Sequence, residues 1–314
     1  MIFYAMEVLD FSNKSLYKQE SIIKILCCHL KKSSSVEFYA LNPDIKKDIY
    51  TGSIVKINNK EYIYYSLKSW IDLAEILECK MSIPQKASYP LVKIKFTKLK
   101  QSSFHNAKNS SEKYGVNSEF FKINKAQESA FIYYYLEALK EAKIEDSQRV
   151  LNLGVNRGDE FDIIKEYIGS SKFNKKEFVG IDFSKSAIEF AKKRFNSNCT
   201  FYCEDLNHID SLNLGKFDTL ISIGTLQSST LNFKPYFMKL VQNYLNSSSS
   251  IILGFPNSRW IGGEVIYGAK IKNYSTMEMG LLINDIFFVK KYLQQKKFKV
   301  RIFGKYYIFL VALK

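Results

Sequence analysis

The stretch RVLNLGVNRGD, residues 149–159, decides the fold that we predict for this chain. Its β-prone start breaks at Gly154 into a turn that contains a second glycine, Gly158, and apolar residues at helical spacing follow from Phe161. A strand, a tight turn and a helix N-terminus bring backbone N–H groups up to a nucleotide-like ligand. The stretch therefore predicts an α/β architecture with a ligand at this turn.

Three further apolar stretches with acidic residues follow along the chain. Asp182 ends the strand in VGIDFS, where a carboxylate can accept hydrogen bonds from both hydroxyls of a ribose. Glu204 and Asp205 end the strand in TFYCEDL, and Asp218 lies near the start of KFDTLISIGTLQ. The spacing indicates repeated β–α units with polar groups at the carboxyl ends of the strands.

These four stretches, in this order, resemble the class I S-adenosylmethionine-dependent methyltransferases over residues 149–314. In that family the first stretch usually reads like LDLGCGTG and the second like GIDIS; the third ends in an acid that holds the adenine amino group, and the fourth begins with Phe-Asp. The resemblance implies an enzyme that uses S-adenosyl-L-methionine. It also implies a Rossmann-like, mostly parallel seven-stranded sheet with a terminal antiparallel hairpin, preceded here by a small α+β domain.

The resemblance further implies which residues bind the cofactor. Asp182 would hold the ribose, the acid that ends the third strand would hold the adenine, and the loop after the fourth strand would line the adenine and methyl side. The implied cofactor-binding residues are Asn152, Gly154, Asn156, Gly158, Asp182, Phe183, Asp205, Leu206, Gly224 and Gln227.

The turn departs from the family pattern at two positions. Asn152 stands where the family usually has an acid that helps to hold the methionine end, so a negative charge near a cationic ligand is missing. Asn156 stands where the family has the middle glycine, a milder change because asparagine readily adopts a positive φ. A nicotinamide-binding unit is the nearest rival, but its G-x-G-x-x-G pattern fails at Asn156 and Asp159.

The end of the chain also favours the methyltransferase family over the nicotinamide dehydrogenases. Residues 276–295 have the spacing of a helix, and two strand-like stretches, residues 298–303 and 306–313, are joined at Gly304. A short turn makes these two strands antiparallel. A final antiparallel hairpin is what the methyltransferases have and the dehydrogenases lack.

The chain length suits two domains. We predict an α+β accessory domain over residues 1–99, a linker with cofactor-covering helices over residues 100–145, and the methyltransferase domain over residues 146–314. Within the first domain, residues 15–30 have helical periodicity, and Asn58 and Asn59 predict the turn of a β-hairpin. Its tyrosines, Tyr50, Tyr62, Tyr64 and Tyr65, are either a base-stacking face or, as the commoner alternative, packed residues of the hairpin.

The composition of the chain limits which partners and which location we expect. The chain has no apolar run long enough for a membrane span and no basic, apolar leader, so we expect a cytoplasmic protein. The net charge of +15 favours RNA, tRNA in particular, as the acceptor, but this charge comes from 41 lysines against only 5 arginines. The alternatives are a small-molecule acceptor or a non-catalytic cofactor-binding protein. Five cysteines without paired spacing and three histidines predict reduced thiols and no metal site.

Methyl transfer from a sulfonium needs alignment more than covalent help, so no nucleophile or metal is expected. On resemblance, Tyr114 is a candidate lid residue over the methionine end. A base is required only if the acceptor is protonated, and Tyr114, His105 and Tyr267 are the candidates. The excursion after the fifth strand looks like an acceptor-binding insertion, whose candidate residues are Asn257, Arg259, Tyr267, Asn273 and Tyr274.

Overall fold

A computed structural model of the chain describes residues 8–100, 114–195, 197–227, 231–271, 274 and 276–314. The chain forms two compact units. The first comprises Met1–Gln101 together with Trp260–Ile266, and the second comprises Ser102–Arg259 together with Tyr267–Lys314. Of the linker region predicted at residues 100–145, residues 101–113, which include His105, lie outside the described residues.

The first unit is an α+β structure with one main sheet, in the order β1-β2-β7-β5, and β6 pairs with β7. Its core lies on one face of this sheet, where Phe38 contacts the rings of Trp70 and Phe96. Its elements are β1 (Leu9–Asp10), α1 (Ile22–Lys32), β2 (Ser35–Leu41), β3 (Ile54–Ile57), β4 (Lys60–Ile63), α2 (Leu67–Ile76), β5 (Cys79–Met81), β6 (Gln85–Lys86) and β7 (Leu91–Lys98).

The predicted helix over residues 15–30 is too long at its start. Helix α1 begins only at Ile22, because Ser21 is extended and its side chain accepts a hydrogen bond from the Lys24 N–H at 3.3 Å. This N-cap satisfies one of the free N–H groups at the helix start. The Ile22 N–H instead donates to the Ser15 carbonyl at 3.0 Å, so the preceding residues form a loop.

The predicted hairpin is confirmed, but the tyrosines around it do not form one face. Asn58 and Asn59 have φ values of +48° and +61°, as a type I′ turn requires, and they join β3 to β4. Tyr64 and Tyr65 are buried, and their hydroxyls donate to backbone carbonyls at 3.1 and 3.0 Å. Tyr50, in contrast, is 87% exposed. Tyr64 and Tyr65 are therefore packed residues, as in the second alternative.

The second unit contains a seven-stranded sheet in the order β10-β9-β8-β11-β12-β16-β15. The strands from β10 to β12 are parallel, while β16 is antiparallel to both β12 and β15. The elements are α3 (Ser129–Glu141), β8 (Arg149–Leu153), α4 (Asp159–Ile168), α5 (Ser170–Phe173), β9 (Glu177–Asp182), α6 (Lys185–Arg194), β10 (Cys199–Cys203), β11 (Phe217–Ile223), α7 (Phe233–Asn243), β12 (Leu245–Pro256), β13 (Ser258–Ile261), β14 (Glu264–Tyr267), α8 (Gly280–Gln295), β15 (Lys299–Gly304) and β16 (Tyr307–Leu313). This arrangement confirms the predicted fold class, including the terminal hairpin, although α8 starts later than residue 276.

Helices cover both faces of this sheet, as an α/β fold requires. Successive residues of β8 point to opposite sides, so Val150 lies in one apolar core and Leu151 and Leu153 in the other. Phe161 of α4 belongs to the first core and Phe237 of α7 to the second. Burial on both faces holds the strands in place. Because the strands from β10 to β12 are parallel, their carboxyl ends lie at the same edge of the sheet.

Asp218 stabilises the opposite edge of the sheet, where the parallel strands begin. Its Oδ2 accepts hydrogen bonds from the N–H groups of Gln148 and Arg149, both at 2.9 Å, and its Oδ1 accepts one from the Asn246 amide at 2.7 Å. Burial raises the pKa of this carboxyl, but the hydrogen bonds outweigh burial and leave the pKa below its usual value.

We expect Asp218→Asn to lower the free energy of unfolding at pH 7 by about 2 kcal/mol, because it weakens hydrogen bonds to a charged group that is only partly buried. The folded pKa is depressed, so the stabilising contribution is complete above the unfolded pKa of about 3.9 and is lost as pH falls through the folded value. Urea unfolding of both proteins checks this. Their difference should be constant near neutral pH and shrink below about pH 4; a difference that persists in acid contradicts it.

Candidate functional site

The turn between β8 and α4 is built for close approach of the backbone. Gly154 has a φ of +74°, and a Cβ at this position would lie 1.8 Å from Thr225 Oγ1. Gly158, at the N-cap of α4, has a φ of +86°, and a Cβ there would lie 2.6 Å from the Phe195 ring. Both positions therefore require glycine for conformation and for space.

Asn156 adopts the conformation expected where the family has glycine, with a φ of +46°. Its backbone N–H donates to Asp182 Oδ2 at 2.9 Å, and Asp182 Oδ1 accepts from the Ser184 N–H at 2.9 Å. The Asp182 side chain thus ties the glycine turn to the end of β9 and to the start of α6. Each carboxylate oxygen has capacity for more than one hydrogen bond, which suits the predicted ribose contact.

Ser184 caps helix α6, because its side chain accepts a hydrogen bond from the Ala187 N–H at 3.4 Å. Phe183, between the acid and the cap, is 41% exposed. Its ring lies 6.2 Å from the Tyr114 ring, which also contacts Phe120 at 4.9 Å. The structure therefore places the predicted lid residue beside the predicted cofactor-binding phenylalanine.

A hydrogen bond also joins Tyr114 to the turn. The Asn156 side-chain amide donates to the Tyr114 carbonyl at 2.8 Å. A glycine at position 156 could not make this contact, so the asparagine both accepts the positive φ and anchors the covering segment. The lid role itself stays a prediction.

Asn152 lies in a buried polar cluster that the sequence analysis did not find. Its Nδ2 donates to Glu160 Oε2 at 3.4 Å, and Glu160 Oε1 lies 3.5 Å from Lys125 Nζ. Burial is the largest single effect and lowers the pKa of Lys125, but Glu160, Tyr307 and Asp159 together outweigh it and the pKa is raised overall. Glu160 was visible as an acid in the first turn of α4, whereas nothing in the sequence marked Lys125 as its partner.

Buried amide oxygens mark the carboxyl ends of three neighbouring strands. Asn152 lies in β8, Gln227 follows β11 and Asn257 follows β12 directly. The side-chain carbonyl oxygen of each is buried and has no hydrogen-bond partner within the described ranges. An unsatisfied buried acceptor costs about 1–3 kcal/mol. This edge therefore suits a ligand that donates hydrogen bonds, as do the ammonium, ribose hydroxyls and adenine amino group of S-adenosylmethionine.

The end of β10 supplies the predicted adenine acid. Asp205 Oδ1 accepts hydrogen bonds from the backbone and side chain of Asn207, at 2.8 and 2.9 Å, and caps the short 3-10 helix Leu206–Leu212. Leu206 is buried. Directly after β11, Gly224 has a φ of +73°, and a Cβ at this position would lie 3.2 Å from the Pro256 ring. The loop residues beyond Gln227, 228–230, are outside the described residues.

The predicted acceptor residues have different roles in the structure. Arg259 donates to the carbonyls of Tyr267 and Gly268, both at 3.1 Å, and so holds the return of the β13–β14 hairpin. Tyr267 and Tyr274 are 38% and 52% exposed. Asn257 is buried and donates through Nδ2 to the Lys305 carbonyl at 3.3 Å. Asn273 lies outside the described residues.

The tip of this hairpin, Trp260–Ile266, belongs to the first unit. Within that unit Lys80 Nζ lies 2.6 Å from Glu264 Oε1. A Cβ at Gly262 would lie 3.2 Å from the Lys100 backbone, so the tip packs closely there. The excursion that the sequence presented as an acceptor-binding insertion is therefore, at its tip, part of the N-terminal fold.

The first unit also contains a cleft of about 310 Å³. It runs along β3 and is bounded by the loop before the hairpin and by an exposed tyrosine. The lining residues are Ile45, Lys46, Ile49, Ser53, Ile54, Val55, Lys56, Ile57 and Tyr89.

Three further features bear on the chemistry that the chain can carry out: metal ligands, thiols and membrane-spanning helices. Among the described residues, His, Cys, Asp and Glu side chains form no group that could hold a metal ion. The five cysteines are free thiols, and burial raises the pKa of Cys199 to about 12. In the same part of the chain, no helix is both long and apolar enough to cross a membrane.

Comparison with known proteins gives the family. A family profile described as a methyltransferase domain matches residues 144–302, which is just over half of the chain. No curated protein matches the chain in sequence.

Similar solved structures include three methyltransferases. The plantazolicin methyltransferase BpumL with SAH is 14% identical (TM-score 0.44, 65% of this chain and 93% of that chain). A SAM-dependent methyltransferase from Aquifex aeolicus is 13% identical (TM-score 0.40, 67% and 96%). The methyltransferase domain of the bacterial protein CtHen1-CN is 15% identical (TM-score 0.43, 61% and 100%). At such values these likenesses say nothing about what this chain acts on.

The family match and the strand order agree with the interpretation of the sequence. The profile covers the glycine turn, the acid at the end of β9 and the strands up to β15. The chain belongs to the methyltransferase-domain family and is an S-adenosylmethionine-dependent enzyme of the class I fold.

Proposed function

We propose that this chain methylates an N–H or O–H group of a small-molecule acceptor at the carboxyl edge of its sheet. The observation that carries the proposal is the set of buried, unpartnered amide oxygens of Asn152, Gln227 and Asn257 at the ends of β8, β11 and β12. Two of them, Asn152 and Gln227, belong to the implied cofactor site. Asn257 remains for the substrate that receives the methyl group. Its Oδ1 can accept a hydrogen bond but cannot donate one, so it selects substrate groups that carry an N–H or O–H.

When bound, S-adenosylmethionine supplies a methyl carbon on a sulfonium: the acceptor attacks this carbon in line, the carbon–sulfur bond breaks, and the neutral thioether leaves while the acceptor's proton passes to solvent or to a base. The chain's part is to bind and to orient. In this proposal Asp182 holds the ribose, Asp205 holds the adenine amino group, and Gly224 with Gln227 lines the adenine side. Tyr114 covers the site through the contact of its carbonyl with Asn156.

The acceptor needs a base only if it is protonated at the working pH. Tyr114 and Tyr267 are the described candidates for that role, and His105 is a candidate outside the described residues. Asn257 is neutral, so its proposed role is to align the acceptor and not to take its proton. Asn257→Ala should therefore lower kcat while leaving the affinity for S-adenosylmethionine unchanged.

RNA, tRNA in particular, is the second candidate acceptor. The net charge of +15 favours it, together with the cleft along β3, where Lys46 and Lys56 stand near Tyr89, which is 75% exposed. The arginines favour a small-molecule acceptor over RNA. Arginine is the residue best suited to phosphate recognition, but all five arginines of this chain already bind groups of the protein itself. Arg149, Arg157, Arg194 and Arg301 form ion pairs with carboxylates, and Arg259 binds backbone carbonyls.

Incubation with methyl-labelled S-adenosylmethionine tests the function. We expect label to enter a small-molecule extract of cells and not total RNA. Label in RNA, with retention on heparin that falls steeply with salt, would establish the second candidate. Calorimetry with S-adenosylmethionine and its demethylated product distinguishes an enzyme from a non-catalytic cofactor-binding protein. If the chain binds both ligands tightly but transfers label to no fraction, it is not an enzyme.

A further inference from the structure

A buried carboxylate lies next to the position where the family's strand acid is missing. Glu160 is only 4% exposed, and its Oε2 lies 3.4 Å from the Asn152 amide nitrogen. Asn152 is itself 1% exposed. The negative charge that the sequence lacks at position 152 is therefore present within hydrogen-bond reach, on the first turn of α4 instead of on β8.

This carboxylate is balanced by a lysine that is well separated from it in the sequence. Lys125 Nζ lies 3.5 Å from Glu160 Oε1, and the two side chains are 16% and 6% exposed. The ammonium also stands over the rings of Phe131 and Tyr307, at 5.6 and 5.9 Å. Desolvating two charges is costly unless the geometry is close and further hydrogen bonds compensate.

The contacts within the cluster are long for a pair that serves only to stabilise the fold. Charge-assisted N–H···O bonds typically measure about 2.7–2.9 Å, whereas the contacts here measure 3.4 and 3.5 Å. The Oδ1 of Asn152 is buried and lacks a hydrogen-bond partner among the residues that the structure describes. The cluster thus presents one cation, one carboxylate and one unsatisfied carbonyl oxygen.

These groups complement an α-amino acid zwitterion, whose ammonium needs acceptors and whose carboxylate needs a cation. We propose that Lys125, Glu160 and Asn152 bind the amino acid end of S-adenosylmethionine, with Glu160 taking the place of the strand acid. Glu160 and Asn152 Oδ1 receive the ammonium, and Lys125 receives the carboxylate. This inference rests on the proposed function, because it requires the nucleoside of the same ligand to occupy the neighbouring turn.

The test compares two ligands that differ in the amino acid end. Calorimetry measures the affinity for S-adenosylmethionine and for 5′-methylthioadenosine, which keeps the nucleoside and lacks the amino acid. Glu160→Gln should weaken S-adenosylmethionine binding about tenfold, the cost of one charge-assisted contact. Binding of 5′-methylthioadenosine should be unchanged. Glu166→Gln, an exposed change of the same kind on the same helix, should affect neither.

A charge swap makes the test specific to the position of the acid. Asn152→Asp combined with Glu160→Gln returns the carboxylate to β8 and should recover most of the lost affinity for S-adenosylmethionine. Lys125→Gln is an independent measurement, expected to weaken S-adenosylmethionine and spare 5′-methylthioadenosine. Thermal melts establish that each variant is folded before its affinities are compared.

Three outcomes overturn the inference. The cluster is only structural if Glu160→Gln and Lys125→Gln weaken both ligands equally or leave both unchanged. Glu160 does not replace the strand acid if the charge swap binds no better than Glu160→Gln. A parent protein that prefers 5′-methylthioadenosine also refutes the subsite while leaving the nucleoside site intact. Failure of the proposed function looks different, because methyl label would then enter RNA or no fraction at all, while the affinities of the parent and variants for these two ligands would stay as expected here.

Discussion

Asp182→Ala should lower the affinity for S-adenosylmethionine about 100-fold, because hydrogen bonds from two ribose hydroxyls to a carboxylate are each worth about 1.5 kcal/mol or more. Asp182 is only 7% exposed, so solvent screens these hydrogen bonds little. Calorimetry on the parent and the variant measures the loss. A variant that binds the cofactor as tightly as the parent contradicts the placement of the ribose.

Asp182 also holds the turn through the N–H groups of Asn156 and Ser184, so the loss must be assigned to the ribose by a second comparison. The parent should prefer adenosine to 2′,3′-dideoxyadenosine, and Asp182→Ala should abolish this preference. If the carboxylate acted only on the turn, both nucleosides would lose affinity together and the preference would persist. Asp162→Ala, which removes an exposed carboxylate from α4, is the control and should change neither affinity.

Gly154→Ala should destabilise the protein by about 2–5 kcal/mol, the sum of a left-handed backbone and an overpacked contact. The added Cβ would lie 1.8 Å from Thr225 Oγ1 and 2.7 Å from Thr225 Cβ, so a rotation of the threonine side chain cannot relieve the clash. Urea unfolding gives the change in the free energy of unfolding.

Gly169→Ala is the matched control for this substitution. Gly169 has a φ of +83°, but nothing lies within 4 Å of an added Cβ. Its substitution should cost only the backbone strain of its φ and ψ of 83° and 146°, about 1–3 kcal/mol. Equal losses at the two positions would show that the contact with Thr225 has no energetic consequence, and the account of close approach at the turn would then be wrong.

Local interactions were predictable from residues that are neighbours in the chain. The paired asparagines of the β3–β4 turn, the Ser184 cap and the positive φ of Asn156 each depend on a few consecutive residues, and all are present. The start of α1 was missed although it is local, because apolar spacing continued upstream of Ser21 while the cap ended the helix there.

The interior of the site was predictable only in part. The glycines and acids at strand ends were visible because their spacing repeats with the β–α units. The pairing of Lys125 with Glu160 was not visible, since it joins a 3-10 helix before α3 to the first turn of α4. The sequence also did not show that the β13–β14 hairpin is shared between the two units. Its sequence is that of a loop, and only packing assigns its tip to the first unit.

What the sequence determined by itself is the succession of strands and helices along the chain, together with the turn glycines and the acids near strand ends, because hydrophobic period and glycine conformation are properties of short stretches. Tertiary structure decided which buried polar groups find partners. Asn152 appeared in the sequence as the loss of a charge, and folding places Glu160 and Lys125 beside it. Burial and charge balance depend on segments that are distant in the chain, and no local pattern encodes them.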